Sequence, residues 1–327
     1  MPRYWISGGR QRVARLRRRD EWTSFERALL VELDTDRGTL RVLLEYQSPE
    51  GHCPARDPSV LFKAASWDDG RLLLCTQTEV LVVDPKNWRI ERVISHPWFN
   101  DVHHVARIGG RLHVVSTGLD SLFVLDESGA VVEQHSATGE DPWIRFDRNV
   151  DYRLLATTKP HRAHPNYVFH AAGTRWLTRF EQHDALPIDR PGASIPIGPD
   201  PVHDGVPVGS SVWFTVVAGQ VVEADPLTAT VRNRYDLNRL RRPEDAPLGW
   251  CRGICVERDR VLLGFSRLRP TLFMQNLAWL RAPLNRPEPA PTRIAAYDLA
   301  AGRELASWNL EEVGMSAVFS ILPAATA

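Results

Sequence analysis

Five histidines stand where a polar segment meets the start of an apolar run. The stretch "FNDVHHVARIGG" (99–110) carries His103 and His104, "TTKPHRAHPNYVF" (157–169) carries His161 and His164, and "DPVHDGVPVGS" (200–210) carries His203. Converging neutral imidazoles are ligands for zinc, iron or copper. Three of them with an open coordination position describe a catalytic metal centre, because structural zinc sites are usually four-coordinate and closed. Asp101 and Asp204 adjoin these histidines, either as a carboxylate ligand or as acceptors that fix a ring tautomer from behind. "GWCRGIC" (249–255) brings Cys251 and Arg252 to a similar place. A guanidinium there offers a fork for a carboxylate, phosphate or sulfate.

The elements that must position these residues are visible as a repeat. "GRLLLCTQTEVLVVD" (70–84) aligns under "GRLHVVSTGLDSLFVLD" (110–126), and "SSVWFTVVAGQVVEAD" (210–225) follows the same scheme. Each reads as two β-rich runs joined by a short break and closing on Asp, which spells an antiparallel meander. Four strands per repeat of about 40–60 residues match a propeller blade. The expected fold is all-β, a six-bladed β-propeller, with inner strands beginning near residues 59, 102, 165, 203, 252 and 315.

Residues 1–327 are expected to form one propeller domain. Its last blade takes its inner strand from the C-terminal "SAVFSIL" (316–322) and the others from the N-terminal "RYWIS", "ALLVELDTD" and "TLRVLLEY". Such closure removes an exposed sheet edge. Insertions at 141–163 and 271–292 are expected over the channel, the second starting with helix-like spacing. In this architecture the loops entering the inner strands converge on one mouth, which gathers the histidines. Adjacent strand residues point opposite ways, so only one of His103 and His104 faces the axis.

Composition narrows the function. The net charge is zero, so electrostatics gives no support to a nucleic-acid partner. No run is long enough to span a membrane, and no apolar segment follows the basic N-terminal residues, so a cytoplasmic location is expected. Four cysteines in 327 residues read as reduced thiols. The preference for arginine over lysine, with only Lys63, Lys86 and Lys159, reads as compositional bias. There is no P-loop, GxSxG or GxGxxG motif.

The stretches "GTRWLTRFEQHDAL", "VHDGVPVGSSVWFTVV" and "CRGICVERDRVLLGFSRLRP" resemble an uncharacterised bacterial β-propeller family, some members of which are linked to tetratricopeptide-repeat proteins. The shared features are a tryptophan strand ending in Thr-Arg-Phe, a histidine strand entrance, and a Cys-Arg-Gly blade. The likeness covers about residues 100–270, with His-Asp-Gly at 203–205 in place of that family's H-x-N-G. It implies the fold and no particular activity. A looser similarity reaches gluconolactonase-like propellers, whose carboxylate-rich calcium site is not seen here, and arylsulfotransferases, which use axial histidines and arginine.

The functional expectation is a metal-dependent enzyme acting on a small anionic molecule. A divalent transition metal (zinc, iron or copper) would sit among His103 or His104, His161 or His164, and His203. Asp204 would orient a ligand or act as base, and Arg252 would anchor the anion. The alternatives are a metal-free transferase with a nucleophilic axial histidine, and a binding propeller whose polar ring is purely structural.

Overall fold

The computed structural model describes residues 2–12, 24–189, 192–242, 244–268 and 289–324. Three N-terminal strands come first: β1 (Arg3–Gln11), β2 (Phe25–Asp34) and β3 (Thr39–Tyr46). The first complete blade is β4 (Ser66–Asp68), β5 (Arg71–Cys75), β6 (Val80–Asp84) and β7 (Arg89–Ile94). The second is β8 (Val102–Ile108), β9 (Arg111–Ser116), β10 (Ser121–Leu125) and β11 (Val131–Ser136). The third is β12 (Pro165–Ala171), β13 (Thr174–Arg179), β14 (Asp184–Pro187) and β15 (Ile195–Pro196). The fourth is β16 (Val206–Val208), β17 (Ser211–Val216), β18 (Gln220–Asp225) and β19 (Thr230–Asp236). The fifth is β20 (Trp250–Val256), β21 (Val261–Ser266), β22 (Arg293–Asp298) and β23 (Arg303–Asn309). The C-terminal β24 (Ala317–Pro323) pairs with β1 and completes a sheet in the order β24-β1-β2-β3. Six four-stranded antiparallel sheets thus form a six-bladed propeller, and the closing blade is assembled from both ends as the sequence indicated.

Alternation explains why these runs become blades. In β5 and β6, Leu72, Leu74, Leu81 and Val83 pack toward the closing blade with Trp5, Leu30 and Phe62. Leu73, Cys75 and Val80 pack toward the second blade with Phe99, Val105 and Val114. A period of two with both faces apolar suits a sheet sandwiched between neighbours. The outer strands lose this pattern: β7 keeps only Ile94 buried.

The inner strands are irregular at the channel mouth. In β8, β12, β20 and β24 the register shifts once, leaving His103, Asn166, Arg252 with Gly253, and Phe319 as the extra residues. A bulge re-aims its extra side chain. Gly253 is at φ 77°, and a Cβ there would stand 3.1 Å from the Ser320 backbone, so no other residue fits that bulge without strain. In the first and fourth blades the chain reaches the same ring before its named inner strand begins. Lys63 N–H donates to Cys75 O at 2.9 Å, and His203 N–H donates to Thr215 O at 2.9 Å.

Part of the 141–163 insertion is tied down beside this ring. Asn100 Nδ2 donates to the carbonyls of Tyr152 (2.8 Å) and Leu155 (2.9 Å). Asp120 accepts from Arg145 Nη1 (2.9 Å) and from the backbone N–H groups of Arg162, Ala163 and His164. Most of the 271–292 insertion, with its expected helical start, lies outside the described residues. No helix among the described residues is long and apolar enough to cross a membrane.

Candidate functional site at the channel mouth

The ring opens into a cavity of about 170 Å³. His103, His161, His164 and His203 line it, with Lys63, Asp101, Lys159, Glu181, Arg252 and Phe319. The ring centroids of His103 lie 5.2 Å from His164 and 6.0 Å from His203, and those of His161 and His164 are 5.0 Å apart. Three blades therefore do deliver imidazoles to one place.

His103 rather than His104 faces the cavity. His103 sits in the bulge, and its Nδ1 contacts Asp101 O (2.8 Å) and Thr117 Oγ1 (2.7 Å). Thr117 itself donates to Pro165 O, so His103 Nδ1 carries the proton and Nε2 the lone pair. His104 turns into the interface between the second and third blades. Its Nδ1 accepts from Val168 N–H at 3.2 Å, and its ring stacks on Tyr167 at 3.6 Å. It does not line the cavity and is a packing residue there.

His203 is 1% exposed. Its Nδ1 meets Asp204 Oδ1 at 3.2 Å, while its Nε2 has no hydrogen-bond partner among the described residues. Asp204 does not line this cavity. Its second oxygen accepts from Gly253 N–H (2.8 Å) and Thr215 Oγ1, which ties the fourth blade to the fifth. Its place is behind His203, where it fixes the Nδ1–H tautomer. At this cavity the imidazole of His203, and not the Asp204 carboxylate, forms the wall.

Arg252 is stacked, with its guanidinium carbon 4.4 Å from the Trp250 ring centroid and 4.9 Å from that of Phe319. Its Nε is buried without a hydrogen-bond partner among the described residues. Burial lowers even this guanidinium to about 10, against the opposing pull of Asp204 and Asp101. Lys63 is 5% exposed, pairs with Asp101 Oδ1, and lies 3.3 Å from both ring nitrogens of His103.

The electrostatics follow from desolvation. Burial holds His103 and His164 well below the usual imidazole range, and neighbouring cations reinforce this at His103. His161 and His203 are lowered for the same first reason, so the imidazoles are neutral at pH 7. Burial also lowers Lys63, against Asp101, and takes Lys159 down to about 8. Burial acts to raise Asp101, but the Lys63 ammonium beside it outweighs this and keeps the carboxyl ionised.

The sequence reading named all four cavity histidines, Asp101 and Arg252. It passed over Lys63, Lys159 and Phe319. The available signal was the scarcity of lysine: of three in the chain, two line this cavity. Among the described residues, no group of three or more His, Cys, Asp and Glu is arranged to hold a metal ion. Cys251 and Cys255 are buried free thiols away from the cavity, raised by burial.

The fold and its mouth define the class, a six-bladed β-propeller. No family model matches the chain, nor does any curated protein. Among solved structures, it is similar to a chain of the nidogen/laminin complex at 9% identity and TM-score 0.55, covering 99% of this chain and 98% of that one. It is also similar to a chain of the mitotic checkpoint complex at 8% identity and TM-score 0.50, covering 86% of this chain and 74% of that one. At such identities the likeness concerns the fold alone.

Proposed function

We propose that the protein is an enzyme that binds a small anionic molecule at the channel mouth, with Arg252 as the anion anchor and His203 as the base or nucleophile. One observation carries this reading: two buried nitrogens, Arg252 Nε and His203 Nε2, are unpartnered among the described residues, and both residues line the same cavity. A buried polar atom left without a partner costs about 1–3 kcal/mol; a ligand oxygen accepting from Arg252 Nε–H and a ligand hydroxyl donating to His203 Nε2 would relieve both. The stacked guanidinium is pre-organised for a planar anion. Asp204 holds His203 with its Nε2 lone pair free, which is the arrangement a general base needs. The cavity volume suits a molecule of few heavy atoms.

The test is titration calorimetry with sulfate, phosphate and malonate. Binding of at least one is expected, weakened about tenfold (about 1.4 kcal/mol) in Arg252→Lys, which keeps the charge and loses the fork. Equal affinity in wild type and Arg252→Ala ends this reading.

A second reading keeps the metal. It is favoured by the Nδ1 contacts of His103 to Asp101 O and of His203 to Asp204, since metal-bound histidines characteristically give their other nitrogen to such acceptors. Zinc, iron or copper would then take His103, His164 and His203. The Lys63 ammonium beside His103 opposes it, because a metal would have to displace that cation. Elemental analysis of the purified protein decides. Stoichiometric metal that is lost in a His164→Ala, His203→Ala double variant selects this reading, and metal-free protein removes it. Kinship with the bacterial propeller family of the sequence resemblance is proposed with either.

A further inference from the structure

Lys63 stands out against the rest of the chain. Of forty basic side chains only three are lysine, so arginine is the default wherever a positive charge is enough. Lys63 is nevertheless a lysine, 5% exposed, at the wall of the cavity. Its ammonium is set between a carboxylate, Asp101, and the imidazole of His103 at 3.3 Å, and it faces the Phe319 ring at 5.6 Å. Arg252 packs against that same ring at 4.9 Å. A primary amine can do one thing that a guanidinium cannot: form a Schiff base.

We propose that Lys63 forms an imine with the carbonyl group of a small oxo acid whose carboxylate is held by Arg252. This rests on the anion-site reading above and names its substrate class.

The chemistry balances within the site. His103 Nε2 takes one proton from the Lys63 ammonium. The freed amine pair forms the N–C bond as the carbonyl π pair moves to oxygen. The nitrogen proton passes to that oxygen, giving a neutral carbinolamine. The hydroxyl then takes the proton held by His103 and leaves as water, and the nitrogen pair closes the C=N bond. Overall, ammonium and carbonyl become iminium and water with no change in charge. The iminium therefore keeps the ion pair with Asp101, and no oxidant or reductant is required. His203 Nε2, free of partners among the described residues, lines the same cavity to take a proton from the bound adduct.

The experiment is reductive trapping of the full chain with pyruvate and sodium cyanoborohydride, read by intact mass and peptide mapping. Lys63 is expected to be modified at least about tenfold faster than exposed Lys86, equivalent to about 1.4 kcal/mol. The adduct should vanish in Lys63→Met and fall in Arg252→Ala. Mapping the wild type locates the adduct even if Lys63→Met does not fold. Modification no faster at Lys63 than at Lys86, or confined to the chain's amino terminus, overturns the proposal. Sulfate titration of the same sample separates the two claims. Arg252-dependent sulfate binding without Lys63 modification removes the imine and keeps the anion site. Lys63 modification that is equal with propanal and pyruvate, and indifferent to Arg252→Ala, keeps a reactive amine but overturns the oxo-acid assignment.

Discussion

The channel mouth and the seam of the closing blade share β24 and the stretch from Lys63 to Ala65, yet they treat polar groups in opposite ways. At the seam the polar atoms are mutually satisfied. Ser7 Oγ donates to Lys63 O at 2.7 Å and meets Ser320 Oγ at 2.6 Å, and Ser320 Oγ accepts from Ala65 N–H at 3.1 Å. At the mouth, a few residues away, His203 Nε2 and Arg252 Nε are buried with no partner among the described residues. Satisfied polar groups tie the ring shut, whereas unsatisfied ones store a cost that a ligand can offset. Stability and recognition therefore occupy neighbouring but separable positions.

The largest expected effect comes from breaking the seam. Deleting everything after Gly314 removes β24 together with buried Met315, Val318 and Ile321. Each large apolar side chain contributes about 1.5–3 kcal/mol, against a typical total stability of about 5–15 kcal/mol. It also leaves β1 with an unpaired edge. The truncated chain is expected to lack a cooperative thermal transition by circular dichroism. A melt like that of the full chain would mean that β24 does not close the ring.

Next in size is Asp204→Ala, which strikes the tie between the fourth and fifth blades and the mouth together. It removes the acceptor of Gly253 N–H and Thr215 Oγ1 and frees His203. Unpairing such a buried network is expected to destabilise by about 3 kcal/mol in urea denaturation. Thr215→Val, which deletes one donor only, is expected to cost about 1 kcal/mol. If Asp204→Ala costs no more than Thr215→Val, the carboxylate is not the tie between blades.

The buried histidines of the mouth and of the neighbouring blade interface also set a pH dependence. Burial lowers His103, His164 and His203, and takes His104 down to about 3. Their folded pKa values lie below the unfolded value of about 6.5, so the unfolded chain binds protons first as pH falls. Their contribution is complete above about pH 6.5 and declines below it, at up to about 1.4 kcal/mol per pH unit for each histidine. The melting temperature should fall from pH 7.5 to pH 5, and less steeply in His104→Gln. A flat profile over that range would show that the histidines are not held neutral.

What the sequence revealed, and what it hid, follows the same divide. The alternation in Leu72–Cys75 and Val80–Val83 and the strands left over at both ends announced the blades and their closure, because period-two burial is written directly in residue type. The gathering of His103, His164, His203 and Arg252 was legible because topology alone brings strand entrances together. The choice of His103 over His104 was not, since it depends on a bulge, and a bulge leaves no mark in composition. Lys63 was overlooked although it falls within the inner strand expected from about residue 59, because it has no histidine beside it in sequence. Asp204 looked like a candidate base because the hydrogen bond its carboxylate accepts from Gly253 N–H, 49 positions away, is a tertiary fact.

The smallest expected effect sharpens the comparison most. Arg252 belongs to the mouth: among the described residues its guanidinium takes no part in the Ser7–Ser320 hydrogen bonds of the seam and packs on the faces of Trp250 and Phe319. Arg252→Lys should therefore change stability by less than about 0.5–1 kcal/mol, since the lysine stem still covers the rings. Anion affinity should fall about tenfold, because a point charge cannot reproduce two parallel N–H contacts. Measured together by denaturation and titration, these separate recognition from folding. If instead stability falls by about 2 kcal/mol or more and affinity is unchanged, the guanidinium is packing between aromatic rings. The unpartnered nitrogen would then be a cost of assembly, and the division between seam and mouth would fail at the residue that argues for it most strongly.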